Sequence, residues 1–234
     1  MKLSEETIEI LKNFTTINPG ILIKPGKTLR TIKSNKAVFA EAEISEEFDR
    51  EFGLHDLSKV LGLLSLNKNA EVTVQENCLV YNGLNGTASI RQRFTDPKLI
   101  ISPPNKKINL EYQVSFELSQ EVQKWIFDAA SILGCPNIVV YSSGERDDEL
   151  KISAMDVKNT GEGTEQGAIV DDATVGLGVP CLVKFQASFK IENLQILPGA
   201  YIVDVSSGGA ARFKNKTKPV TYFIAVEQQS SSFE

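Results

Sequence analysis

The chain of 234 residues has one histidine, His55, and three cysteines, and both scarcities exclude chemistry. A Ser–His or Cys–His nucleophile needs an imidazole beside it, and a single histidine leaves one place for such a pair. His55 precedes Asp56 at an expected helix start, where it reads as a partly exposed capping histidine. No Gly-x-Ser-x-Gly elbow occurs, which excludes a hydrolase of that type. Cys78, Cys135 and Cys181 are odd in number, far apart and without CxxC spacing. They supply neither a zinc ligand set nor a disulfide framework and are expected as reduced, mostly buried thiols. No cofactor and no metal are implied.

Long apolar runs are also missing: no stretch approaches the roughly 18 residues that a membrane-spanning helix needs. Met1-Lys2-Leu3-Ser4-Glu5-Glu6 lacks the apolar core of a signal peptide, so a soluble intracellular chain is expected. The glycine-rich stretch 161–167 (Gly-Glu-Gly-Thr-Glu-Gln-Gly) has no Walker lysine and the wrong spacing for a dinucleotide loop. Its two glutamates would repel phosphate, and a flexible strand connection is expected there. The acidic runs 41–51 and 145–149 lie among polar residues and read as solvated faces and loops, not as paired catalytic carboxylates.

Positive charge is in deficit as well. The net charge is −5, which counts against a protein that holds nucleic acid by overall attraction. Screening limits electrostatic reach to about 8 Å at physiological salt, so one basic face can still act on an acidic molecule.

What is present is hydrophobic material for real cores, 41% of residues, arranged in a rough repeat. Ser4-Glu5-Glu6 opens a helical pattern with Leu3, Ile8, Leu11 and Phe14; Ser119-Gln120-Glu121 opens another with Val122, Trp125, Ile126, Ala129 and Leu133. In both, serine caps the first free N–H groups and an acid faces the positive helix end. β-Branched segments follow each, at 21–23 and at 138–141. A short helix capped near Asp56 is predicted over 54–61, then strands at 70–74, 78–81 and 87–94. The second half answers with a short helix over 191–197, stopped by Pro198-Gly199, and strands at 201–205, 210–213 and 220–226. Asn82-Gly83, Asn85-Gly86 and Gly208-Gly209 mark turns. Asp96-Pro97 and Pro103-Pro104-Asn105-Lys106-Lys107 break the pattern between the halves. The expected organisation is one domain over 1–96, a connector over 97–109, a second domain over 110–228 and a frayed tail over 229–234.

Met1-Lys2-Leu3-Ser4, Leu11-Lys12-Asn13-Phe14, Ile17-Asn18, Ala40-Glu41-Ala42-Glu43-Ile44-Ser45, Asp56-Leu57, 61–66 (Leu-Gly-Leu-Leu-Ser-Leu) and Pro198-Gly199-Ala200-Tyr201 form an ordered set that resembles the sliding clamps of T4-like bacteriophages. The match is densest over the first 70 residues and poor over 135–185. The resemblance implies an α+β fold of two similar domains, each with two helices packed on antiparallel β-sheets. It further implies a non-enzymatic homotrimer closed head to tail around duplex DNA. Lys2, Lys12, Lys59, Lys68, Lys124 and Lys190, on or beside the predicted helices, would face DNA. Edge strands at 87–95 and 150–158 would join subunits, with Arg91, Arg93 and Phe94 on one side and Ile152 and Met155 on the other. A pocket for partner peptides would involve Leu99, Ile100, Ile101 and Pro103 of the connector, with Ile44, Phe223 and Ala225. Implied partners are the replicative DNA polymerase, an ATP-driven clamp loader and late-transcription factors, in the cytoplasm of an infected bacterium. Two other classes stay open on the residues alone: a β-rich phage tail or capsid protein, and a hydrolase built on two converging carboxylates.

Overall fold

Ser4 starts the first helix of the computed structural model: its Oγ accepts the Thr7 N–H at 3.2 Å, and α1 (Glu5–Ile17) runs on from there. Thr7, Ile10, Leu11, Phe14 and Ile17 are buried, the three- and four-residue spacing that puts one face inward. Removing a Phe14 or Ile10 side chain from water is worth about 1.5–3 kcal/mol each. The structure describes residues 1–66, 71–83, 87–105, 108–146, 148–158 and 171–233. Lys68, Ala70, Asn85-Gly86, Lys106-Lys107 and the glycine-rich stretch 161–167 lie outside them. The chain forms two units, Met1–Lys106 with Lys218–Val220, and Lys107–Thr217 with Thr221–Glu234.

In the first unit α1 is followed by β1 (Ile21–Ile23), β2 (Gly26–Ile32), β3 (Val38–Phe48) and β4 (Phe52–Leu54). β2 pairs antiparallel with β3, and β1 with β4. The acidic run begins on β3, where Ala40, Ala42 and Ile44 point inward and Glu43, Ser45 and Glu47 outward. Asp56 then caps α2 (Leu57–Ser65), accepting from the Lys59 N–H at 3.0 Å, and α2 packs on α1. β5 (Glu71–Val74), β6 (Cys78–Gly83) and β7 (Ala88–Arg93) form a three-stranded antiparallel sheet in that order.

The second unit opens with β8 (Val114–Leu118) and α3 (Gln120–Leu133). Ser119 caps α3 through a 3.2 Å bond from Val122 N–H; Gly134 ends it with φ of 68°, a conformation costly for any residue with a Cβ. β9 (Asn137–Ser142), β10 (Glu149–Met155), β11 (Ala173–Pro180) and β12 (Phe185–Lys190) follow, then β13 (Tyr201–Ser206), β14 (Ala210–Asn215), β15 (Val220–Ala225) and β16 (Ser232–Phe233). One sheet has the order β11-β10-β9-β12-β16; a second layer includes β8, β13, β14 and β15, joined as antiparallel neighbours. Phe189 and Phe213 meet edge to face at 5.6 Å, and Tyr201 and Tyr222 are fully buried beside them.

Two expectations change here. The helix predicted over 191–197 is a single 3₁₀ turn, Ile191–Asn193. Its continuation is pre-empted by buried side chains. The Tyr201 hydroxyl and Gln123 Nε2 both donate to Leu197 O, at 2.6 and 3.2 Å, and Gln123 Oε1 accepts the Gly199 N–H at 2.9 Å. The tail, expected to fray, is instead held on β12. No helix among the described residues is long and apolar enough to cross a membrane.

Candidate functional site

The three-stranded sheet of the first unit has one covered edge and one open edge. On β5, Met1 N donates to Val72 O at 2.6 Å and Val72 N–H donates to Met1 O at 2.7 Å, so the first residue shields that side. At the other side β7 pairs only with β6 among the described residues, and Ile90, Arg91 and Arg93 are exposed. Phe94, predicted to join them, turns inward and stacks on Phe52 at 4.4 Å. An open strand edge offers a row of backbone donors and acceptors to another strand.

The five-stranded sheet of the second unit repeats this arrangement with a correction. The strand predicted as its edge, β10, lies inside: Ile152 pairs with Val140 on one side and Val175 on the other, and is 2% exposed. Ile152 therefore has no surface to offer, and Met155 is half-buried. Among the described residues the open edge is β11, a strand that the sequence reading missed because Gly176 and Gly178 dilute its β-branched pattern. The signal available was the alternation of Val175, Leu177 and Val179 with smaller residues. The opposite edge, β12, is covered by the tail, with Phe185 opposite Phe233 and Gln186 opposite Ser232.

Beside β11 lies an apolar helix face. α3 packs on β10 and β11 and buries Gln123, Ile126 and Ala130. Its other face carries Trp125 (50% exposed), Ala129, Ile132 (83%) and Leu133 (38%) around an open hollow of about 530 Å³. Glu121 and the Lys124–Asp128 ion pair, 2.6 Å, line the same hollow. The sequence pattern named Val122, Trp125, Ile126, Ala129 and Leu133 as the helix's apolar residues without separating its two apolar sides, and the inward side also includes a glutamine.

The lysines expected to face DNA fall into groups. Lys12 on α1 and Lys59 on α2 are exposed, on helices that pack together. Lys124 is tied to Asp128, and Lys190 to Glu227 at 3.4 Å. Lys2 is exposed at the start of the chain, and Lys68 is outside the described residues. Acids share these surfaces: Glu5 and Glu6 are exposed on α1, and Glu9 pairs with Lys218. Glu46 is also engaged. Against the upward pull of burial, the Thr7 hydroxyl and the Ser4 N–H hold its carboxyl below the ordinary range.

The connector begins with a 3₁₀ turn, Pro97–Leu99, capped by Asp96 accepting from Lys98 N–H at 2.9 Å. Ile100 and Pro103 are buried, whereas Leu99 (75%) and Ile101 (55%) stand in solvent. Ile44 is buried, and Phe223 and Ala225 are half-buried on β15. Of the predicted pocket residues, then, Leu99 and Ile101 present apolar surface. Backbone contacts fix this segment: Thr95 N–H donates to Gly53 O at 2.9 Å, and Asn18 Nδ2 to Ile101 O at 3.1 Å. His55 Nδ1 lies 3.1 Å from Thr95 Oγ1, so the lone histidine also steadies the connector. Gly53 is required for the close approach, since a Cβ there would sit 2.7 Å from Thr95 O and 2.9 Å from Ile100 Cγ1. Gly53→Ala is expected to push the connector outward and lower thermal stability by about 1–3 kcal/mol. A thermal midpoint equal to the parent's would show that the approach is not constrained.

Residues 4–90 match the family model described as DNA polymerase processivity factor. The sliding clamp of Vibrio phage KVP40 is 31% identical over 230 residues, covering 97% of this chain and 99% of the relative. The chain belongs to the sliding-clamp family. The sliding clamp of Escherichia phage RB69 is 30% identical over 240 residues, with 99% of each chain covered. Among solved structures, proliferating cellular nuclear antigen from Entamoeba histolytica superposes with a TM-score of 0.67 at 12% identity, over 97% of both chains, which shows the shared clamp fold. The T4-like phage clamp family suggested by the segments from Met1 to Tyr201 is thus the right one, and a tail or capsid protein is not favoured. Within the clamp fold no group of three or more His, Cys, Asp or Glu among the described residues could hold a metal ion.

Proposed function

We propose that the chain closes with two further copies into a ring around duplex DNA, and that the ring tethers a DNA polymerase without catalysing any reaction. The observation that carries this reading is the pair of open edges, β7 in one unit and β11 in the other. Strand β7 of one copy pairs with β11 of the next, and the apolar face of α3 gives the joint a hydrophobic component. A head-to-tail contact whose rotation closes makes a ring. Arg91 and Arg93 on β7 complement Asp171 and Asp172 at the start of β11, which favours this pairing over β7 with β7.

Contact with DNA is weak and independent of sequence, as sliding requires, with Lys12 and Lys59 as the principal phosphate-facing charges. Retention is topological, and processivity follows because a tethered polymerase rebinds its primer end at high effective concentration. Leu99 and Ile101 are the connector's anchors for partner peptides. An ATP-driven loader opens the ring, late-transcription factors use the same tether, and the setting is the cytoplasm of the infected bacterium.

The test is retention on DNA of defined topology. With a matching loader and ATP, the protein is expected to stay on nicked circles and to be lost when they are linearised; equal retention on both sinks the reading. Lys12→Glu with Lys59→Glu is expected to reduce loading several-fold with the fold intact. Lys190→Glu should do less, because that lysine is already paired with Glu227. An equal effect of Lys190→Glu would remove the distinction.

A further inference from the structure

Asn18 divides its side chain among three backbone groups of the first unit. Its Oδ1 accepts the Gly20 N–H at 3.0 Å, and its Nδ2 donates to Ile32 O at the end of β2 at 3.0 Å and to Ile101 O in the connector at 3.1 Å. The residue is 8% exposed. The first bond is ordinary turn chemistry, which any short side chain with an oxygen supplies. The other two are not. A primary amide carries an acceptor and two donors on one short stem; ionised aspartate has no donor, and serine has one. The turn is also held without those donors. Asn18 N–H donates to Phe14 O at 2.9 Å where α1 ends, and Leu57 N–H donates to Pro19 O at 2.8 Å where α2 begins. Asparagine is needed here for the two carbonyls.

The carbonyl it holds in the connector belongs to an exposed apolar residue. Ile100 has an extended backbone, φ −94° and ψ 122°, so side chains alternate around it. Ile100 itself is buried against Gly53, and Leu99 and Ile101 stand outward on either side of it. Before them the 3₁₀ turn holds the chain, with Leu99 N–H donating to Asp96 O at 2.9 Å and Ile100 N–H to Pro97 O at 3.2 Å. After the turn, the Asn18 amide takes over at Ile101. Released there, the connector would sample many arrangements, and a partner would have to order it again on binding.

We propose that Asn18 is a positioning residue for the partner site: by holding the Ile101 carbonyl it keeps Leu99 and Ile101 presented to an apolar peptide, and so raises affinity for the DNA polymerase through the connector. This rests on the reading of Leu99 and Ile101 as the connector's anchors. Every contact it uses lies within the first unit, so it does not depend on how subunits join.

The experiment compares the parent with two variants. Asn18→Ser keeps an oxygen for the Gly20 N–H and gives up the two carbonyls; Leu99→Ala with Ile101→Ala removes the anchors and leaves Asn18 in place. Amide exchange over 97–102, read by mass spectrometry, is expected to be at least about tenfold faster in Asn18→Ser than in the parent, with α1 and α2 unchanged. Synthesis is measured on primed circles with ATP and the loader and DNA polymerase of a T4-like phage. The polymerase concentration for half-maximal synthesis is expected to rise at least about fivefold in Asn18→Ser, while the amount of protein loaded and the maximal rate match the parent. A merely structural role would lower loading and maximal rate together, and that result overturns the proposal. So does unchanged exchange, or faster exchange with unchanged half-saturation. A parent whose 97–102 amides exchange as fast as an unfolded chain also overturns it, and that measurement needs no variant to fold. The double alanine variant separates this from failure of the reading beneath it. If half-saturation stays unchanged there, the anchors lie elsewhere and Asn18 positions nothing that the polymerase uses.

Discussion

Replacing Trp125 and Ile132 together by glutamate is expected to convert the ring into single subunits while leaving each subunit's thermal stability nearly unchanged. Both side chains already stand in water in the single chain, at 50% and 83% exposure, so their loss removes little burial. Such surface changes usually fall within about 0.5 kcal/mol. The new glutamates stand four residues from Glu121 and Asp128, a like-charge cost of only about 0.2–0.5 kcal/mol per pair. At a joint the balance reverses. Truncating a central tryptophan commonly costs 2 kcal/mol or more, and each buried carboxylate adds a desolvation cost. A loss of about 4 kcal/mol per joint is roughly a thousandfold in association. Sedimentation of parent and variant at micromolar concentration decides the matter. An unchanged trimer mass would mean that the α3 face is not part of the joint. A parent that already runs as a monomer would count against the ring itself.

Gln123→Ala is expected to have the largest effect on stability among single polar substitutions. The side chain is 3% exposed and bridges α3 to the segment after the 3₁₀ turn, through Leu197 O and the Gly199 N–H. Alanine leaves the Gly199 N–H buried without this acceptor. Leu197 O keeps the Tyr201 hydroxyl at 2.6 Å, so one of the two backbone groups stays satisfied. The unpaired N–H and the void together cost about 2–4 kcal/mol. For a chain of this size, that lowers the unfolding midpoint by roughly 5–12 °C. Gln123→Met fills the space without restoring the bond and should recover part of the loss. A midpoint within 1 °C of the parent for Gln123→Ala would show that the bridge is dispensable.

The features legible in the sequence were those set by local chemistry. Ser4, Asp56 and Ser119 cap helices because a short side chain with a free oxygen beside an apolar period has few other uses. The strands after α2 and those from Tyr201 onward follow from alternation. What failed was whatever tertiary contacts decide. The buried side of α3 is chosen by Gln123, whose two backbone partners lie more than 70 residues away, so no window of sequence could choose between its apolar faces. The helix over 191–197 loses its last turn to tyrosines from β13 and β15. The edge position was assigned to β10 instead of β11, because strand order in a sheet is not written in the strands themselves. The tail looked polar and free, yet three serines and a phenylalanine suit an edge that the sequence had not revealed.

The two covered edges have a consequence best put as polymer chemistry. A sheet edge is a reactive end, and the sheets carrying β7 and β11 would have four such ends between them. Met1 protects one on β5 and the tail protects another on β12, which leaves these two sheets, among the described residues, with one open end each, β7 and β11. Monomers that join through those two ends alone can only extend or cyclise. A third live end would allow branching, and branching at high concentration leads to networks. The two short protecting segments leave these sheets two ends to join, and closure of the proposed ring is then the cyclisation of a three-unit chain.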